Sequence, residues 1–124
     1  MLTSALGPAE QVPFLDAGYQ VCQILRLLEI GLTRPIEAPP PELGLRIRPA
    51  RRRDMGSILE LDAAAFDAFW RFDAEALVEA AHATPRNRRR VAQRDGRVVG
   101  YTMTGQSGRT GFVQRLAVDP DHHG

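Results

Sequence analysis

The chain has 124 residues, 44% hydrophobic and 25% charged, with a net charge of +1. That is the size and balance of one soluble globular domain; it excludes a disordered chain and a membrane span of ~20 apolar residues, and it argues against a dedicated nucleic-acid binder. A single cysteine, Cys22, excludes an internal disulfide and a thiolate metal cluster and fits a reducing, cytoplasmic compartment.

Residues 1–32 form a short N-terminal piece. Met1–Leu6 reads as a strand, Pro8–Ala17 as a helix capped by Gly18, and Tyr19–Ile30 as one or two strands, although Ile24-Leu25-Arg26-Leu27-Leu28 suits a helix equally well. From Thr33 to Gly44, Pro35, Pro39, Pro40 and Pro41 withhold backbone donors and favour an extended spacer, so residues 33–44 read as a linker.

Residues 45–124 carry a clearer pattern. Leu45-Arg46-Ile47-Arg48 alternates apolar and charged, the period of a half-buried strand, and Pro49 stops it. Asp54 is placed to cap a helix in which Met55, Ile58, Leu61 and Ala65 recur at helical spacing beside Leu59 and Phe66. Asp73 opens a second helix with Glu75 in its first turn and Leu77, Val78 and Ala81 on its apolar face; Pro85 ends it. Asp95-Gly96 between Arg90–Arg94 and Arg97–Met103 predicts a hairpin. Gly105–Gly111 reads as a polar connection, and Phe112–Val118 as a more apolar, central strand terminated by Asp119-Pro120. The class is mixed α and β, with one strand, two helices and three antiparallel strands.

Three landmarks stand in order along residues 46–124: Ile47-Arg48-Pro49-Ala50, Asp95-Gly96-Arg97-Val98-Val99-Gly100, and Leu116-Ala117-Val118-Asp119-Pro120 running on to Gly124. Together they resemble the GNAT (GCN5-related) N-acetyltransferase superfamily. The resemblance implies an α/β (α+β) fold, a mostly antiparallel sheet flanked by helices, of which residues 45–124 are the N-terminal half, ending in the pyrophosphate loop. It implies transfer of acetyl from acetyl-CoA to a primary amine on a small molecule, a protein N-terminus or a lysine. In such proteins the fourth strand lends free backbone groups to the pantetheine arm, here Leu116, Ala117 and Val118. The loop after it cradles the pyrophosphate with backbone amides; His123 stands where the family usually has Gln or Arg, and Gly124 follows.

Phe14-Leu15-Asp16-Ala17-Gly18-Tyr19 more weakly resembles the element that begins the closing strands of the same fold, which makes residues 1–32 its C-terminal segment. Phe14 then replaces the tyrosine that protonates the departing thiolate, a proton that phenylalanine lacks. Closing elements ahead of opening ones imply a fragment of a tandem-GNAT protein. A permuted fold completed by a second copy, a homodimer, is the alternative.

No general base is singled out among Glu60, Asp62 and Asp119, and Phe66, Phe69 and Trp70 are candidates for an acceptor pocket or for core. His82, His122 and His123 lack the spacing of a metal site, and Gln106-Ser107-Gly108 is not a nucleophile elbow. The competing readings are a truncated, non-catalytic fragment and an arginine-rich binding module. All sixteen basic residues are arginine, and in the binding-module reading residues 51–53 and 86–90 take nucleic acid or a protein partner.

Overall fold

The computed structural model describes residues 7–40 and 42–123, so the strand expected at Met1–Leu6 and the site residue Gly124 lie outside the described residues. The chain divides into two compact units, Met1–Ala38 and Pro39–Gly124.

In the first unit, α1 spans Pro8–Asp16, with Pro8 in its first turn and the Glu10 carboxylate accepting from Gly7 N at 3.0 Å. Its end follows from Gly18. At φ 87 this residue turns the chain into a conformation that costs glycine nothing, so that Tyr19 N donates to Phe14 O at 2.9 Å and the Tyr19 ring meets Phe14 edge-on. The strands expected over Tyr19–Ile30 do not form, nor does the alternative helix. A strand needs a hydrogen-bonded neighbour, and the described part of this unit offers none. Ile24 is 81% and Leu27 95% exposed, so the apolar run has no core to enter.

The second unit is a four-stranded antiparallel sheet in the order β1-β2-β3-β4, built from β1 (Leu45–Pro49), β2 (Arg86–Arg94), β3 (Arg97–Ser107) and β4 (Thr110–Val118). Two helices, α2 (Met55–Ala65) and α3 (Ala74–His82), supply the other core layer. Ile58 and Leu61 of α2 and Leu77 of α3 meet Val91, Tyr101, Met103 and Ala117 of the sheet. Burial of each larger aliphatic side chain among them, Ile58, Leu61, Leu77, Val91 and Met103, contributes roughly 1.5–3 kcal/mol. On the opposite sheet face, among the described residues, Ile47, Leu116 and Val118 remain exposed.

The Asp95-Gly96 hairpin forms with both residues at positive φ, 48 and 81, the turn whose twist matches its strands. Four expectations change. Gly105–Gly111 is not a loop: β3 runs to Ser107, β4 starts at Thr110, and only Gly108-Arg109 turn. Asp54 stands at the N-cap position of α2 but its side chain makes no capping bond to that helix. It ends a 3-10 turn, Arg52–Asp54, and its carboxylate accepts from Arg51 N at 2.6 Å and bidentately from Arg48 at 2.7 and 2.8 Å. β1 therefore turns Arg48 inward and leaves Ile47 61% exposed, because the ion pair claims the face that alternation assigned to the apolar residue. Finally, β4 is an edge strand rather than a central one, since among the described residues β3 alone pairs with it.

Candidate functional site

The phase of hydrogen bonding along β4 decides what that open edge presents. Asp119 N donates to Val99 O at 2.9 Å, which makes Val99–Asp119 a bonded pair of the antiparallel ladder. Bonded and non-bonded pairs alternate, so Tyr101–Ala117 is the next bonded pair, whereas Gly100–Val118 and Thr102–Leu116 are non-bonded. The N–H and C=O of Leu116 and Val118 therefore point to the open edge. Those of Ala117 face Tyr101, and its side chain is buried in the core.

Beyond β4, Asp119 Oδ1 accepts from Asp121 N at 3.0 Å and shapes the turn Pro120–His122. That turn brings His123 Nε2 to 3.1 Å from Val118 O, one of the outward-facing carbonyls. Of the five residues expected at the cofactor, Leu116 and Val118 thus offer edge groups, His123 touches that edge, Ala117 is committed to the ladder, and Gly124 lies outside the described residues.

A β-bulge sits just before the edge groups. Met103 pairs with Arg115 but Thr104 with Val113, leaving Gln114 as the extra residue. Both bulge side chains turn toward the helices. Gln114 Nε2 donates to Ala80 O at 3.0 Å, and its Oε1 accepts from Asn87 at 2.9 Å. Arg115 grips Asp62 through Nε and Nη2, each at 2.8 Å, and Nη2 donates to Trp70 O at 2.6 Å. Its guanidinium carbon lies 3.5 Å from the Phe66 ring centroid and 4.1 Å from that of Phe72.

Asp62 is wholly buried. Its carboxylate also accepts from Tyr101 Oη at 2.5 Å and Phe72 N at 2.7 Å, so both oxygens are saturated. Burial by itself would raise this carboxyl, but the hydrogen bonds from Arg115, Phe72 and Tyr101 outweigh it and hold the group below its ordinary 3.8. Burial, then the bond to Asp62, pushes the Tyr101 hydroxyl well above 10.0. Asp62 accordingly holds structure together and has no lone pair to spare for a substrate proton. Glu60 is exposed and Asp119 caps the following turn.

Phe66 belongs under Arg115 and not to a pocket, whereas Phe69, 63% exposed, meets Trp70 edge-on at 4.8 Å on the α2–α3 connection. Arg86, Arg88 and Arg90 are exposed on alternate positions of β2. The concavity at Leu32–Ile36 is lined by one continuous run and brings together no residues distant in sequence. Sequence reasoning missed Arg115; its one signal was a lone charge in the interior of a mostly apolar strand.

The model of the acetyltransferase (GNAT) family matches residues 55–124, more than half of the chain, from the start of α2 through β4. The chain belongs to the GNAT acetyltransferase family. A solved structure described as a GCN5-related glucosamine N-acetyltransferase region in the fungal multi-domain GH3 β-N-acetylglucosaminidase is similar to this GNAT chain. Its TM-score is 0.58 at 16% identity, over 72% of this chain and 11% of that one, a likeness of fold. No curated protein matches.

Proposed function

We propose that the chain is part of an N-acetyltransferase that moves the acetyl group of acetyl-CoA to a primary amine, with the β4 edge as the cofactor contact. The observation that carries this is the pair of outward-facing backbone units at Leu116 and Val118. Two residues apart on a strand, they recur about 6.8 Å from one another, a spacing suited to an extended ligand with amides of its own, as the pantetheine arm is. Family membership supports the same donor.

Within this reading, His123 and Gly124 begin the pyrophosphate loop, where backbone amides favour an anion. Residues 1–32 are closing elements of a GNAT fold, and residues 33–44 are the spacer. An acceptor amine attacks the thioester carbonyl and loses its proton to water or a base, while coenzyme A leaves as the thiol. The Val118 N–H is placed to polarise that carbonyl. The exposed Phe69, with the half-buried Trp70 edge-on beside it, is a candidate wall for the acceptor, and the lone free thiol, Cys22, fits a cytoplasmic protein.

Thermal unfolding with millimolar acetyl-CoA tests the assignment. Binding to the folded state is expected to raise the midpoint with concentration, by about 2.7 kcal/mol of stability at a hundredfold excess over Kd, and amine-dependent thiol release should accompany it. No shift with acetyl-CoA, together with salt-sensitive binding of nucleic acid, would instead favour the arginine-rich binding module.

A further inference from the structure

The β3–β4 ladder is held by backbone bonds that any residue can make, so the strands could pair without the extra residue at Gln114, Met103 then facing Gln114 and Tyr101 facing Leu116. Sliding the phase of β4 by one residue would turn the N–H and C=O of Ala117 to the open edge and those of Leu116 and Val118 inward. The apolar residues of the strand oppose such a slide only weakly, since Val113, Leu116 and Val118 are exposed and the buried Ala117 contributes only a methyl group.

Arg115 opposes it strongly. Its guanidinium fits a slot lined by Asp62, the Trp70 carbonyl and the rings of Phe66 and Phe72, and Asp62 is completed by Tyr101 on the neighbouring strand. A one-residue slide would bring Gln114 to the slot and leave a buried carboxylate facing no cation, a loss larger than any gain available elsewhere on the strand.

We propose that Asp62 and Arg115 are positioning residues: their buried pair locks the hydrogen-bond phase of β4 and so selects Leu116 and Val118 as the residues that present backbone groups at the edge. The functional part rests on the acetyl-CoA reading above. The lock acts through backbone geometry, and neither side chain touches the ligand.

The test replaces the pair by apolar side chains of similar bulk, Asp62→Leu with Arg115→Met, and compares it with the equally bidentate Arg48–Asp54 pair treated the same way, Arg48→Met with Asp54→Leu. Amide hydrogen exchange of residues 116–118 and acetyl-CoA affinity are read on each folded protein. In the wild type, the Ala117 amide is expected to be protected and those of Leu116 and Val118 to exchange at least tenfold faster. The Asp62/Arg115 double variant should lose that contrast and bind acetyl-CoA at least tenfold more weakly, while the Arg48/Asp54 variant keeps both within twofold. Arg115→Lys, which retains a cation in the slot, should keep the exchange contrast and serves if the double variant does not fold.

An unchanged exchange contrast and unchanged affinity in the Asp62/Arg115 variant overturn the lock and leave the acetyl-CoA reading standing. Loss of contrast in Arg115→Lys as well would also overturn it. A wild type that shows the contrast and its loss in the variant but is not protected by acetyl-CoA sinks the cofactor reading and, with it, the functional role of the lock.

Discussion

Thr84 leaves no room for a side chain on Gly105. A β carbon built there would lie 2.4 Å from Thr84 Oγ1 and 2.8 Å from its Cγ2, with Gln114 Cδ at 2.9 Å on the other side. Thr84 is itself held by a 2.9 Å bond to Arg86 O, and Gln114 by its bonds to Ala80 and Asn87, so neither neighbour is free to swing away. The glycine that read as loop material is thus a contact point where the α3–β2 turn seats on the sheet. Gly105→Ala is expected to cost about 1–3 kcal/mol, a drop in midpoint on the order of 10 °C. Gly111→Ala, whose β carbon would come no nearer than 4.0 Å to Gly105 O, should stay within about 0.5 kcal/mol. Thermal melts of the two variants, run side by side, check the contrast.

Removing Asp62 strands a buried guanidinium, whereas removing the Tyr101 hydroxyl deletes one hydrogen bond to a carboxylate that keeps other donors. Asp62→Ala is expected to destabilise by about 3–5 kcal/mol and Tyr101→Phe by about 1.5–3 kcal/mol. Because both act on one network, the double variant should cost less than the sum. Urea unfolding of the complete cycle measures the shortfall, and strict additivity would show that the 2.5 Å bond is not energetically coupled to the pair.

Asp54 is depressed chiefly by its hydrogen bond to Arg48, and Asp62 is depressed despite its burial. A carboxyl with a folded value below 3.8 contributes stability that is fully present above 3.8 and is lost as pH falls through the folded value, since the unfolded chain takes up its proton first. Tyr101, raised above 10.0, works in the opposite direction: its contribution is complete below pH 10 and is lost as pH climbs beyond it. The unfolding midpoint in urea should be level near neutrality, fall below about pH 4, and fall again above about pH 10. In Tyr101→Phe, the contribution of this group to the alkaline fall should disappear.

The two kinds of backbone position on β4 predict opposite outcomes for proline. Leu116→Pro removes an N–H that faces the open edge and is expected to leave the sheet nearly as stable while abolishing protection by acetyl-CoA. Ala117→Pro removes an N–H bonded to Tyr101 and should unfold the sheet at markedly lower temperature. A proline at 116 that leaves acetyl-CoA protection intact would argue against edge binding.

Local chemistry made much of this chain legible in its residues alone. The Asp95-Gly96 hairpin, the Gly18 helix end, the Asp73 cap with its 2.8 Å bond from Ala76 N, and the apolar stripe of Ile58 and Leu61 all depend on interactions within a few residues, which sequence order specifies directly. The ordered landmarks carried the family by the same route, because each is a short local pattern. What the linear order left open depends on partners far apart in sequence. Asp62 and Arg115 are 53 residues apart, and nothing near either predicts that one carboxylate will be wholly buried and the other residue inserted between two phenylalanine rings. Whether Phe112–Val118 is central or at an edge, and whether Tyr19–Ile30 pairs at all, turns on the presence of a neighbouring strand, since backbone hydrogen bonds between strands are made across space and carry no mark in the residues that make them.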